Sequence, residues 1–455
     1  MPNTQTIPIG TDRQLFVDDL IVDQLDNVQL KLHPPTPRET CLHLDQPWEG
    51  TTSWCPVVFR DTDRYRMWYR AQEENDHCFT AYAESTDGIH WERPALGQTT
   101  FNDSSANNIC IDHGDIKNVA VFRDDNASAP ADARYKAVGR STGGRRARIN
   151  SMVSADGIHW RLAQDGPLIV APDDDPQFDS PLSAFWDVRR QCYAIYVRGW
   201  CPDGPERRIR AIRFTTSTDF IHWEPWQYTK IIDAAQWPWH LYTNAAHPYH
   251  RAPIYLMFPK RFLPERNFLD NWEYEGLSDI LFLAGRDGTH FSLPCREAFL
   301  RPGRDVENWH ERSIFIAPWV VDTADDEMSL YSVQHYRTAS IHIRRLTLRT
   351  DGFVSLHANG AAGSVLTRLL TFDGEHLEIN YATSAAGSLR IAILNENGAP
   401  IPGFSLDDCN EIFGDEIARV VSWKNGANVG TLAGQVVRLR FALEEADLFS
   451  FRFFA

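Results

Sequence analysis

No stretch of this chain approaches the roughly 18 consecutive apolar residues that a membrane-spanning helix needs, so that class is excluded. Positive charge is scarce. With 45 Lys and Arg against 61 Asp and Glu, the formal charge is −16, and nucleic acid or an acidic membrane would be repelled overall. The eight cysteines form no C-x-x-C pair and no Cys/His cluster at zinc-finger spacing, which removes a disulfide framework and a zinc ribbon. Reduced, mostly buried thiols are expected. Residues Met1 to Gly10 show neither a cationic start nor an apolar segment, giving the expectation of a soluble cytoplasmic protein without a signal.

Turn formers and aromatics are plentiful: 27 Gly, 26 Pro and 12% aromatics, including 15 Trp. Many short strands joined by tight turns follow, hence an all-β fold. At 455 residues the chain exceeds one ordinary core, so a large repeat domain plus an appendage is the economical arrangement.

A repeat supplies that arrangement. S-T-D-G-I-H-W (Ser85 to Trp91), S-A-D-G-I-H-W (Ser154 to Trp160), S-T-D-F-I-H-W (Ser217 to Trp223), G-R-D-G-T-H-F (Gly285 to Phe291) and R-T-D-G-F-V-S (Arg349 to Ser355) share one pattern. Their aspartates Asp87, Asp156, Asp219, Asp287 and Asp351 are 69, 63, 68 and 64 residues apart. A Tyr- or Leu-led strand ending in arginine precedes each, with a further apolar strand before that. Four strands per unit make one propeller blade, so five blades are predicted over residues 1–360. Asp accepts backbone N–H groups across the turn and Gly tolerates φ > 0, so these aspartates are read as scaffold. Beyond them, alternating strands such as L-E-I-N-Y-A-T and V-V-R-L-R-F-A-L predict a β-sandwich over residues 361–455, starting close to Gly363.

With this repeat and an opening L-F-V-D-D segment, Leu15 to Asp19, the chain resembles the five-bladed β-propeller glycoside hydrolase superfamily. That superfamily includes invertase/levanase-like and arabinanase/β-xylosidase-like enzymes, and the chain resembles a bacterial branch of it with a C-terminal β-sandwich. The resemblance implies glycoside hydrolysis by two carboxylates, without a cofactor. It does not supply the catalytic residues. The Asn-Asp-Pro-Asn-Gly, Arg-Asp-Pro and Glu-Cys motifs of the invertase-like enzymes are absent, and Cys55-Pro56 stands where arabinanase-like enzymes carry Asp-Pro. The sialidase Asp-box differs too, by a spacer between Asp and Gly.

Propeller topology sorts the remaining candidates. The inner strand starts at the pocket and runs away from it, so its first residues and the loop after the second strand are pocket-side. First turns, with Asp61, Asp124 and Asp187, lie beneath. The pocket-side acids proposed for catalysis are Asp179 as nucleophile or base, Asp279 or Glu275 as acid, and Asp115. The arginines closing the second strands, Arg70, Arg140, Arg198, Arg261 and Arg337, would ring the pocket mouth; with Arg312 they suit planar recognition of an anionic sugar. Glu49, Trp54, His113, Tyr242, Asn244, Trp309 and His335 complete the predicted substrate contacts, with Trp200, Trp237 and Trp239 as further stacking surfaces. An oligosaccharide is the expected partner and no resident metal is expected, while assembly, a homo-oligomer included, is left open. The competing functions are a non-catalytic glycan-binding propeller and a lyase or phosphorylase on the same scaffold.

Overall fold

The structure, a computed structural model, describes residues 5–73, 77–114, 116–141, 146–173, 178–202, 208–232 and 239–455. Among these, regular structure is β-strand apart from three short 3-10 turns. Five successive antiparallel units surround one axis, the architecture of a β-propeller. The first is a meander of Trp54–Asp61, Arg64–Gln72, Cys78–Ser85 and Ile109–Ile111. The second follows with Lys117–Arg123, Tyr135–Ser141 and Arg148–Ser154, and the third with Asp179–Asp187, Cys192–Pro202, Arg208–Ser217 and Gln227–Tyr228. The fourth is divided into two small sheets. Its second strand breaks between Tyr255–Met257 and Lys260–Leu263, where Pro259 has no N–H to donate to a ladder.

The fifth unit closes the ring in a way the repeat pattern did not anticipate. Glu327–Gln334 and His342–Arg349 are completed on the outside by Thr36–His43, from the other end of the chain. The strand that follows the fifth repeat, Val354–Ala358, instead joins the C-terminal sheet. Contacts between the fifth and first units seal the circle. The Trp54 and Phe315 rings are 5.6 Å apart, and the Tyr331 hydroxyl donates to the Gly88 carbonyl at 2.6 Å. Trp319 plugs the axis, its ring 6.5 Å from Phe59, 6.0 Å from Phe185 and 5.5 Å from His247.

The repeated turn fastens neighbouring blades. Asp87 accepts the N–H groups of Ile89 and His90 at 2.7 and 2.8 Å, and Asp156 and Asp219 cap their turns in the same way. The turn carbonyl is thereby presented to the blade before it. Tyr331 donates to Gly88, Trp68 to Gly157 at 2.8 Å and Tyr196 to Gly288 at 2.5 Å. Glycine is required here for two reasons. Gly157 has φ +79, and a Cβ would sit 3.0 Å from the Trp68 ring. A second row of fasteners lies in the first turns: Asp61 accepts the hydroxyl of Tyr135, Asp124 that of Tyr193 at 2.8 Å, and Asp187 that of Tyr255 at 2.6 Å. Each donor belongs to the following blade. The fifth repeat departs from this plan. Asp351 is fully buried at φ 59, accepts the Tyr249 hydroxyl at 2.7 Å and pairs with Arg251 and Arg13 at 3.0 and 3.5 Å, tying the propeller to the C-terminal sheet.

That C-terminal sheet has ten strands and does not begin at residue 361. Strands Ile7–Gly10, Gln14–Leu15, Val22–Asp26 and Val28–Leu32 pair into it alongside Val354–Ala358. The sheets split the chain three ways, because the N-terminal strands find their ladder partners at the far end of the sequence. A sandwich-like core forms from one continuous sheet. The rings of Phe441 and Phe451, on the single strand Val437–Phe454, are 5.7 Å apart, although ten residues of straight strand would span about 33 Å. The bend falls near Glu445, at φ 41, opposite the register break between Thr383 and Ser388.

Removing one turn cap tests the fastener. Asp87→Ala and Asp156→Ala should each lower stability by about 1–2 kcal/mol in chemical denaturation, through lost turn hydrogen bonds. Burial raises the pKa of both carboxyls, but hydrogen bonds from the turn outweigh it and hold them well below the usual Asp range. The stability they contribute is therefore present above that range and lost as pH falls through it. The variants should accordingly show a shallower acid destabilisation than the parent.

Candidate active site at the propeller axis

Strand register builds the site. Arg70 lies opposite Trp54, Arg140 opposite Lys117, Arg198 opposite Asp179 and Arg261 opposite Leu241. Each arginine that ends a second strand thus stands level with the start of its inner strand. Arg337 reaches the same end differently, from a left-handed residue at φ 70 whose N–H donates to the Thr51 carbonyl at 2.7 Å.

These side chains form a continuous layer across the blades. Asp179 pairs with Arg198 and, at 3.5 Å, with Arg140. Arg198, Arg210 and Arg312 all lie over the Tyr242 ring, at 4.4, 5.2 and 5.5 Å. Trp54 carries Arg70 at 5.3 Å and Lys260 at 5.8 Å. Arg261 stacks on Trp239 at 4.5 Å while pairing through two nitrogens with Asp279. Arg337 contacts Glu311 at 3.1 Å and the Tyr274 ring at 3.3 Å. The layer named here has eight cations against three carboxylates, Asp179, Asp279 and Glu311. That excess of positive charge sits in a protein whose total is −16.

Several of these donors are buried without a protein partner among the described residues. Arg198 keeps only 5% of its side-chain surface exposed, yet its Nε and Nη1 are unbonded, as are Nε of Arg70, Arg140 and Arg312 and Nε1 of Trp54. Leaving such groups empty in a dry site is costly, so the arrangement suits an acceptor-rich, anionic ligand.

The described residues among those predicted fall into three groups. Asp179, Arg70, Arg140, Arg198, Arg261, Arg312, Arg337, Trp54 and Tyr242 belong to the layer. Glu275 is exposed beside Tyr274 and makes no ion pair among the described residues. Trp309 stacks on Phe268 at 4.9 Å and donates to Gly303. Three others are taken up by scaffold contacts. Glu49 is enclosed by Tyr69, Arg93 and the Gln46 N–H; Asn244 bridges Ser183 and the Pro181 carbonyl; His335 turns toward Asp305, Glu307 and Ser340. His113 is half-buried before Ile116, whose N–H its carbonyl accepts at 3.0 Å. Asp115 and Trp237 lie outside the described residues.

Sequence reasoning did not assign Lys260, Arg210 or Glu311 a role in the site. Glu311 is buried; burial alone would raise its pKa, but hydrogen bonds from His310 and Trp272 and the charge of Arg337 hold it down at about 2. At the opposite end of the axis, a cavity of about 320 Å³ is lined by Phe59, Arg123, His250, Trp319 and Asp322. The plug Trp319 forms part of its wall.

No family model matches the chain. Two uncharacterised proteins of Mycobacterium tuberculosis are 28% identical over 155 residues and 29% identical over 152 residues, each match covering 31% of this chain and 44% of the relative. The chain thus spans less than half the length of the curated relatives it matches. Among solved structures, a glycoside hydrolase is similar with a TM-score of 0.48 at 13% identity, over 70% of this chain and 92% of that one. An N-acetylgalactosamine deacetylase from F. plautii gives 0.46 at 13% identity, over 70% and 95%. A β-fructofuranosidase from Bombyx mori gives 0.42 at 10% identity, over 91% and 94%.

The Glu311 carboxylate makes a pH test. Its folded pKa is depressed, so the stability it contributes is complete above about pH 4.5 and is lost as pH falls toward about 2. Glu311→Gln should flatten the melting temperature over that window relative to the parent.

Proposed function

We propose that this protein is a carbohydrate-active enzyme that hydrolyses a glycosidic bond in an oligosaccharide bearing an acidic sugar. The observation that carries the reading is the axial layer itself: buried guanidinium N–H groups without partners, set around Asp179 and between aromatic faces. A sugar carboxylate or sulfate supplies the missing acceptors, and Trp239 and Tyr274 supply apolar faces for a ring. In this reading Asp179, which pairs with Arg140 and Arg198, serves as nucleophile or base. Glu275, without an ion pair among the described residues, serves as the proton donor. Asp279 has both oxygens engaged by Arg261, which suits positioning rather than proton delivery.

Assaying release of new reducing ends from uronate-bearing, sulfated and neutral oligosaccharides tests this. Turnover is expected with the acidic members, and Asp179→Asn should lower kcat at least about 100-fold with folding intact. Arg312→Gln should raise KM for an acidic substrate about tenfold or more while changing a neutral analogue far less. Binding without turnover across the panel would establish a glycan-binding propeller instead, and turnover of neutral glycans alone would remove the acidic sugar.

A further inference from the structure

Lys260 is the one cation of the axial layer with no exposed surface at all. Its Nζ donates to the Arg312 carbonyl at 2.9 Å and lies 5.8 Å from the centre of the Trp54 ring, which also carries Arg70. It has no carboxylate within ion-pair distance among the described residues; the neighbouring acids are spoken for, Asp279 by Arg261 and Glu311 by His310, Trp272 and Arg337. The titratable groups facing it across the packing are Arg312, which opposes its protonation, Glu311, which favours it, and Cys55. Cys55 is itself buried, with its thiol pushed up to about 12, so it carries no charge near neutrality. Within the layer the amine is therefore buried, flanked by guanidinium and short of a counter-ion.

We propose that Lys260, buried and without a counter-ion, is incompletely protonated in the free site and becomes fully protonated when the acid group of the substrate enters, so that it sets the site's preference for anions. The inference rests on the anionic-sugar reading above. Burial, the first cause, and Arg312, the second, bring the amine down to about 7. A carboxylate or sulfate on the guanidinium layer adds the missing negative charge and raises it again. At pH above the free-state value and below the bound one, up to one proton then accompanies each anion bound. With the pKa higher in the bound than in the free state, affinity is full at low pH. It weakens as pH rises through the free-state value, by up to about tenfold per unit until the bound-state value is passed. Trp54, against which Lys260 and Arg70 lie, supplies a fluorescence signal.

The experiment titrates the full chain with sodium sulfate and with D-glucuronate, following tryptophan fluorescence between about pH 6 and about pH 9, where neither probe changes charge. The dissociation constant is expected to climb with pH by up to about tenfold per unit, and Lys260→Met should abolish that slope. Binding that persists with no slope in the parent overturns the proposal, as does a slope retained in Lys260→Met, which would belong to another group. If that variant does not fold, calorimetry of the parent decides, in two buffers of different ionisation enthalpy near pH 7.5: proton uptake supports the proposal and zero uptake overturns it. Failure of both anions to bind at every pH removes the anion site, and the proposal with it.

Discussion

The hydrogen bond from an aromatic of one blade to the turn carbonyl of the next is the contact on which the arrangement depends. A blade has one apolar face on each side and no means of its own to fix the angle to its neighbour. Tyr331, Trp68 and Tyr196 supply that angle, each bringing a large buried ring and one directional bond to Gly88, Gly157 and Gly288. The Asp61, Asp124 and Asp187 acceptors repeat the device, with the donor now on the following blade. Because the inner strands are thereby held at set angles, their first residues converge, and the arginines opposite them are crowded together against their mutual repulsion. Packing energy elsewhere sustains a charge density that a loose surface would disperse.

That concentration explains how a strongly acidic chain can present a basic pocket. Carboxylates on the remainder of the molecule set the net charge, whereas the axial field comes from side chains held among apolar and aromatic walls, where screening by water is weak. Asp179, Asp279 and Glu311 neutralise part of this field and orient individual guanidinium groups. Several of the remaining N–H groups have no partner among the described residues.

The repeat made the propeller legible, since Asp-Gly turns and arginine-ended strands recur at nearly constant spacing and each has a local physical cause. What escaped depended on partners far away in sequence. Nothing near Thr36–His43 says that it will complete a blade begun at Phe315, and R-T-D-G-F-V-S looks like another outer strand although Asp351 serves a buried ion cluster instead. Pocket arginines were visible because they repeat. Lys260 was not, because Lys-Arg at the end of a strand reads as a solvated pair until the fourth blade is seen to break at Pro259. Glu49 and Asn244 lie at pocket-side positions in the topology, but their side chains turn into the packing between strands, a choice that pattern alone does not determine.

The completion of the fifth blade by Thr36–His43 also orders events in time. The main chain of Arg38 is bonded by Arg344, 306 residues further on, and Arg13 pairs with Glu378 across 365 residues. Strands synthesised first therefore have no ladder until the last blade and the final sheet emerge, and four blades must wait with an open seam. A chain of this topology is slow to close, and until it does it exposes the edges of its first and last blades to other chains.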